Sequence, residues 1–286
     1  MTAIRNSRLG LSLLCSAALA SPALASFHFM QVVQIIGGVD GDSTAQAIQL
    51  RTRFAGQNLV SFSRVRVFDA AGMNPVLIVN MTTDVPNGAA GANILIASTN
   101  FASQTSPAAV PNFTMTNLIP SGYLAAGSLT FEDDGGGVLW RVTWGGAAYT
   151  GPQNGAITND ADGNFAPAFS GPLPSSTLQS LRFINGVSAM STNNAADYSV
   201  TAGAATFTNN AGQNFIVAPP AALLGDMNCD GFVTVGDISG FVLALIDPAG
   251  YPVVFPTCDI NNADVNEDGV VSVGDIGAFV GLLSGA

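Results

Sequence analysis

The chain alternates along its first two thirds and coils near its end. Between residues 26 and 218, apolar and polar positions exchange every second residue in short runs. In Ala47-Ile48-Gln49-Leu50-Arg51-Thr52-Arg53-Phe54, one side holds Ile48, Leu50 and Phe54 and the other Gln49, Arg51 and Arg53. In Leu139-Trp140-Arg141-Val142-Thr143-Trp144, Trp140, Val142 and Trp144 share a side. An extended chain points successive side chains to opposite faces, so each run predicts a strand with one buried face. Further strands are expected at 29–36, 64–68, 76–79, 93–97, 129–131, 181–184 and 215–217. Gly37-Gly38, Asn87-Gly88, Gly135-Gly136-Gly137, Asp162-Gly163 and Asn185-Gly186 supply the turns between them. Many short strands divided by Gly, Asn and Pro predict a mainly β body, an antiparallel β-sandwich or barrel, over 26–218.

After the Pro219-Pro220-Ala221-Ala222 stretch, a short stiff linker over 219–223, the period becomes helical. Ile238, Phe241, Val242 and Leu245 fall at i, i+3, i+4 and i+7, and Ile276, Phe279, Val280 and Leu283 repeat the pattern. Each set predicts an amphipathic helix whose four apolar residues pack against the other helix. Prolines upstream (Pro219-Pro220, then Pro252 and Pro256) argue against a helix before either loop, so each unit reads as a loop followed by one helix.

The loop ahead of each helix is itself a repeat. Asp226-Met227-Asn228-Cys229-Asp230-Gly231 returns as Asp264-Val265-Asn266-Glu267-Asp268-Gly269. Thr234 and Asp237 complete the first loop at positions 9 and 12, and Ser272 and Asp275 complete the second. Oxygen donors at this spacing, with Gly at the bend, suit a hard cation that takes six to eight oxygen ligands. Asp237 and Asp275 also stand where a carboxylate favours a helix start.

Charge follows the same division. Charged residues make up 9% of the 286, there is no Lys, and the formal net charge is −11. All basic residues are Arg, none follows Arg182, and nine of the nineteen carboxylates lie at or beyond Asp226. An acidic chain of this kind disfavours nucleic acid and anionic membranes as partners.

The first 25 residues read as a signal peptide: Arg5 and Arg8, an apolar stretch over 9–20, Ser21-Pro22, then Ala23-Leu24-Ala25. That stretch is shorter than the ~20 residues of a membrane span. Export to a secreted or cell-surface location is expected, with a mature chain from near Ser26 and a charge of −13 once the two arginines leave. Cys15 would leave with the signal. Cys229 and Cys258 remain, and in an oxidising compartment a disulfide is favoured over free thiols or a zinc site that lacks any nearby His.

Catalytic equipment in the body is sparse. Its single His is His28, expected at a strand edge near the mature terminus. Most carboxylates abut Gly or Asn, where short acids stabilise turns. Glu132-Asp133-Asp134 ahead of three glycines reads as a hairpin tip, with acid–base work as the minor alternative. Asp160, Asp162 and Asn164, followed or split by Gly163, resemble a third cation loop but lack a closing carboxylate, which favours a satisfied turn. Trp140, Trp144 and Tyr149 could form a sugar-stacking platform, yet two tryptophans on one strand face fit a core better.

Two resemblances follow from these residues. The tail over 224–286, with its duplicated Asp-x-Asn-x-Asp-Gly loops each leading into one helix, resembles a type I dockerin. The resemblance implies one calcium ion per loop and docking onto a cohesin-like module. It implies side-chain ligands Asp226, Asn228, Asp230 and Asp237 with the Phe232 carbonyl, and Asp264, Asn266, Asp268 and Asp275 with the Val270 carbonyl. Thr234 and Ser272 would act through water. Loop positions 10 and 11 depart from the family's hydroxyl pattern, being Val235-Gly236 and Val273-Gly274, and neither helix has a basic residue. In the body, residues 30–36, Gln46-Ala47-Ile48-Gln49-Leu50, 65–74, 128–133 and 138–144 resemble a lamin-tail-like β-sandwich, although Gln46 or Gln49 stands where that pattern has an acid. The reading is an exported, non-catalytic protein: a display or binding β body with a calcium-dependent dockerin-like anchor. The alternative is a secreted carbohydrate-active enzyme, or a polysaccharide-binding component, that carries a dockerin.

Overall fold

A computed structural model describes residues 27–218, 223–256 and 258–284. The expected signal peptide and the Pro-Ala stretch at 219–222 lie outside the described residues. The body is built of strands: β1 (Met30–Ile36), β2 (Ala47–Thr52), β3 (Ser63–Phe68), β4 (Val76–Met81), β5 (Asn93–Ala97), β6 (Thr105–Ser106), β7 (Phe113–Thr114), β8 (Gly127–Asp133), β9 (Val138–Trp144), β10 (Leu181–Phe183), β11 (Tyr198–Val200), β12 (Thr206–Thr208) and β13 (Asn214–Val217). They form three sheets, ordered β11-β10-β1-β2-β5-β7, β4-β3-β8-β9 and β12-β13-β6. Every pairing is antiparallel except β5 with β7.

The six-stranded sheet is the middle of three layers. Val32, Ile48, Leu50, Ile94 and Ile96 face Val65, Val67, Leu129, Phe131, Trp140, Val142 and Trp144 of the four-stranded sheet, forming the main core. On the other side Ile36, Ala47, Leu95 and Ala97 meet Phe207, Phe215 and Val217 of the three-stranded sheet. The expected half-buried strands are therefore corrected for β1 and β2. All of β1 is buried, and Gln49 on the predicted polar side of β2 is 6% exposed. The cause is the third layer, of which only the strand at 215–217 was expected, because β6 and β12 are too short to show alternation. A register shift between Val32 and Gln34 also breaks strict alternation in β1. Phe54, expected inward, lies beyond the end of β2 and is 45% exposed.

Covering a polar face requires partners for its side chains. Glutamine amides provide them. Gln34 Nε2 donates to Thr206 O at 3.2 Å, and Gln49 Oε1 accepts from Thr208 N. Gln46 Nε2 donates to Ile119 O at 3.0 Å while its Oε1 accepts from Ile119 N at 2.7 Å. Gln46 and Gln49 thus act as neutral two-way connectors.

The chain from 223 on packs around Met227, Phe241, Ala244, Tyr251, Ala263 and Phe279. A four-residue helix in the body is α1 (Asn194–Asp197); the later helices are α2 (Ile238–Ile246), α3 (Tyr251–Val254) and α4 (Ile276–Ser284). Both long helices fall where the period put them. Their buried face is narrower than expected. Phe241 and Phe279 stack with ring centroids 3.9 Å apart, but Ile238, Val242, Ile276 and Val280 are 43–55% exposed. The expectation that nothing helical precedes the second loop is also corrected. Pro252 sits in the first turn of α3, where a missing N–H costs nothing, and a 3₁₀ turn (Ile260–Ala263) ends directly before Asp264. Among the described residues no helix is long and apolar enough to cross a membrane.

Candidate metal centre

The two tail loops repeat one another in most of their hydrogen bonds. Asp226 accepts from Asp230 N and Gly231 N at 3.2 and 2.9 Å; Asp264 accepts from Asp268 N and Gly269 N at 3.1 and 2.9 Å. Asp230 and Asp268 accept from the N–H of Phe232 and Val270, both at 3.0 Å. Asn228 and Asn266 accept from the N–H two residues on, at 2.9 Å, and donate through Nδ2 to Asp230 and Asp268. They differ at Met227 N, which donates to Asp237 Oδ1 whereas Val265 N turns to Ala263 O, and at Glu267 N, which donates to Asp264 O. Gly231 and Gly269 stand at φ 90° and 86° with open space around them, so the left-handed backbone, not crowding, selects glycine.

Asp237 and Asp275 each serve two structures. Oδ1 accepts from the loop start (Asn228 N at 3.0 Å, Asn266 N at 3.1 Å). Oδ2 accepts from Thr234 N at 2.8 Å and Ser272 N at 2.9 Å, closing a capping box on the short turn that leads into the helix. Thr234 and Ser272 hydroxyls accept from Gly236 N and Gly274 N, so position 9 is itself a cap. Phe232 and Val270 leave their side chains 70% and 61% exposed, and contribute to the loop only through the backbone.

No family model and no curated protein matches this chain. The reading of the site therefore rests on its own chemistry. Asp237 and Asp275 are fully buried carboxylates, and among the described residues neither forms an ion pair. The tail offers no Lys, Arg or His to neutralise them. Among the described residues no group of three or more His, Cys, Asp or Glu is gathered in metal-holding geometry; the three carboxylates of each loop are engaged by backbone N–H groups. The donors available per loop are carboxylate, amide and carbonyl oxygens, a set that fits calcium and not zinc.

The first loop is held from outside more firmly than the second. Cys229 and Cys258 form a disulfide with Cα atoms 5.6 Å apart. Asn262 Nδ2 donates to Asp226 O at 3.0 Å, and Tyr251 Oη donates to Met227 O at 2.9 Å. Burial, reinforced by Asp226, Asp259 and Asp237, pushes the Tyr251 phenol up to about 12. Tyr251 and Asn262 lie outside both loops and so escape a reading by loop spacing; the available signal was that Tyr251 is the sole Tyr of the tail.

The other candidates lie apart. Glu132 is fully buried, paired with Arg64 at 3.1 Å and Arg66 at 2.7 Å, and receives the Thr130 hydroxyl. It is a strand residue that neutralises two arginines. Asp133 accepts from Gly137 N at 2.8 Å and forms the hairpin. His28 is exposed, stacks on Phe27 at 5.1 Å, and precedes β1. Trp140 and Trp144 are fully buried and donate to Tyr198 Oη and Tyr123 O, both at 2.8 Å; Tyr149 is 4% exposed. No sugar platform is formed by these three. The cavity of about 520 Å³ beside Arg64, Arg66 and Asp134 is lined by one carboxylate only.

Proposed function

We propose that this chain is an exported, non-catalytic protein whose β body serves display or binding and whose tail is a calcium-dependent dockerin-like handle. The observation that carries the reading is the pair of buried carboxylates, Asp237 and Asp275, heading equivalent helices in a tail without basic residues. Calcium, when bound, supplies the positive charge that this arrangement lacks. Asp226, Asn228, Asp230, Asp237 and the Phe232 carbonyl would hold one ion; Asp264, Asn266, Asp268, Asp275 and the Val270 carbonyl would hold the other.

The handle offers its partner an apolar face. Val235, Ile238 and Val242 are 78%, 43% and 45% exposed, and their equivalents Val273, Ile276 and Val280 are 77%, 45% and 55% exposed. Large apolar groups left uncovered in matching places on both repeats support docking onto a cohesin-like module with an apolar surface. An acid–base role in the body finds no support. Glu132 is neutralised inside a sheet, and both mature cysteines are in one disulfide.

The test uses the intact mature chain. Asp226→Ala with Asp264→Ala should lower its calorimetric calcium stoichiometry by two. Val242→Asp with Val280→Asp should keep that stoichiometry and abolish calcium-dependent capture of an envelope partner. Unchanged calcium binding in the first variant refutes the metal assignment. Unchanged capture in the second refutes the docking face.

A further inference from the structure

The turn Asn159-Asp160-Ala161-Asp162-Gly163-Asn164 does not satisfy itself as its sequence suggests. Two of its members behave as turn residues: Asp162 Oδ1 accepts from Asn164 N, and Asn164 Oδ1 accepts from Ala166 N, both at 2.9 Å. Asp160 does not. Its side chain is fully buried, and neither carboxylate oxygen has a hydrogen-bond partner. Around it lie the carboxyl of Asp162 and the N–H groups of Asp162 and Asn164, none closing a well-formed hydrogen bond. Burial and the neighbouring Asp162 push Asp160 up to about 6.

The surroundings hold this carboxylate in place. Asn159 is fully buried and donates through Nδ2 to His28 O and Leu139 O, fastening the turn to β9 and to the segment before β1. Gly155 N donates to Gly163 O at 3.0 Å, and Phe165 N to Gln153 O at 2.6 Å, so the far side is fastened too. Arg53 donates to Thr158 O, Asn159 Oδ1 and Ser188 O; among the described residues it forms no ion pair with Asp160. A buried, fixed and unpartnered carboxylate beside a second carboxylate lacks a positive charge.

We infer that residues 160–164 form a divalent-cation site in the β body, separate from the tail and suited to calcium. Both oxygens of Asp160, Oδ2 of Asp162 and Oδ1 of Asn164 are the donors, and water completes the shell. The donors are all hard oxygens and the two carboxylates match one dication. With no His or Cys in the turn, zinc is disfavoured. This inference does not rest on the dockerin-like reading of the tail.

Tryptophan offers a selective probe. Trp140 packs on Phe165, with ring centroids 5.7 Å apart, and Phe165 directly follows Asn164. The only tryptophans are Trp140 and Trp144, so the tail has none. Terbium(III) added to the intact chain should give saturable luminescence through tryptophan excitation, and calcium should displace it. Asp160→Asn and Asp162→Asn, tested separately, should each weaken that binding by about tenfold or more. Asp162 is exposed, so its variant folds even where the Asp160 variant does not. Asp226→Ala with Asp264→Ala should leave the signal unchanged. Terbium affinity within about twofold of wild type in the Asp162 variant, or emission that calcium does not displace, overturns the site. So does a flat wild-type titration, the result expected if Asp160 and Asp162 only share a proton.

Discussion

Single side chains set the local limits of this protein. Asp69 accepts from Ala71 N at 3.0 Å, Met73 N at 2.8 Å and Asn74 Nδ2 at 2.7 Å, and the Met73 and Asn74 bonds above all hold its carboxyl below the usual range. A depressed carboxylate stabilises the fold above its unfolded pKa and loses that effect as pH falls through its folded one. Asp69→Ala should therefore lower the body's thermal midpoint at neutral pH, with the gap to wild type closing in acid; a gap independent of pH would contradict this. Gly240 sets a limit of another kind. A Cβ there would lie 2.6 Å from Met227 O, which presses α2 against the first loop. Gly240→Ala should cost the tail about 1–3 kcal/mol by overpacking, despite alanine's better helix propensity. The second repeat already has Ala278 at the matching position, so chemical denaturation of the two repeats' variants separates crowding from propensity.

Elements were legible where one pattern dominated. Both long helices, both loops and the strands at 93–97 and 138–144 follow from period and spacing alone, because each contains several residues in phase. Two strands of the third layer, β6 and β12, were not legible, and neither were β7 and β11 of the middle sheet: β6 and β7 have two residues each, β11 and β12 three, too few to show a period. Without the third layer, Gln49 fell on the polar side of β2. The helix faces were misjudged for a related reason: four apolar residues in phase do not reveal that Phe241 and Phe279 are buried and Leu245 and Leu283 packed beside them while Ile238, Val242, Ile276 and Val280 stay exposed. In the candidate sites, Asp and Asn spacing gave the loops, but Asp160 required burial to distinguish it from its satisfied neighbours. The disulfide belongs to this scale too. It spans 29 residues, so removing it by Cys229→Ser with Cys258→Ser should cost the tail roughly 3–4 kcal/mol on the loop-entropy estimate. It fastens only the first loop, and calcium affinity there should fall more than at the second; equal losses would argue that the disulfide stabilises the tail globally.

At the scale of the whole molecule, the three cores are separate clusters. The two tryptophans sit in the main core and the tail's helices carry neither, which gives each part its own spectroscopic reporter. Addition of a calcium chelator to the protein should reduce the helical far-ultraviolet signal of the tail while tryptophan emission stays blue-shifted. Loss of both signals together would mean that the body depends on the tail. The two sides of the middle sheet also differ in strength. The four-stranded layer presses Trp140, Trp144 and Phe131 onto it, whereas the three-stranded layer meets a smaller set, Ile36, Ala47, Leu95 and Ala97, together with glutamine amides.

β13 gives that asymmetry a mechanical meaning. It is the central strand of the smallest sheet, four residues long, and its last residue is followed by Ala218, whose N–H donates to Gln104 O at 3.0 Å. A pull on the chain beyond Ala218 would load β13 first. In force spectroscopy the three-stranded layer should yield as a separate early step before the tryptophan-filled side; a single unfolding step would contradict this.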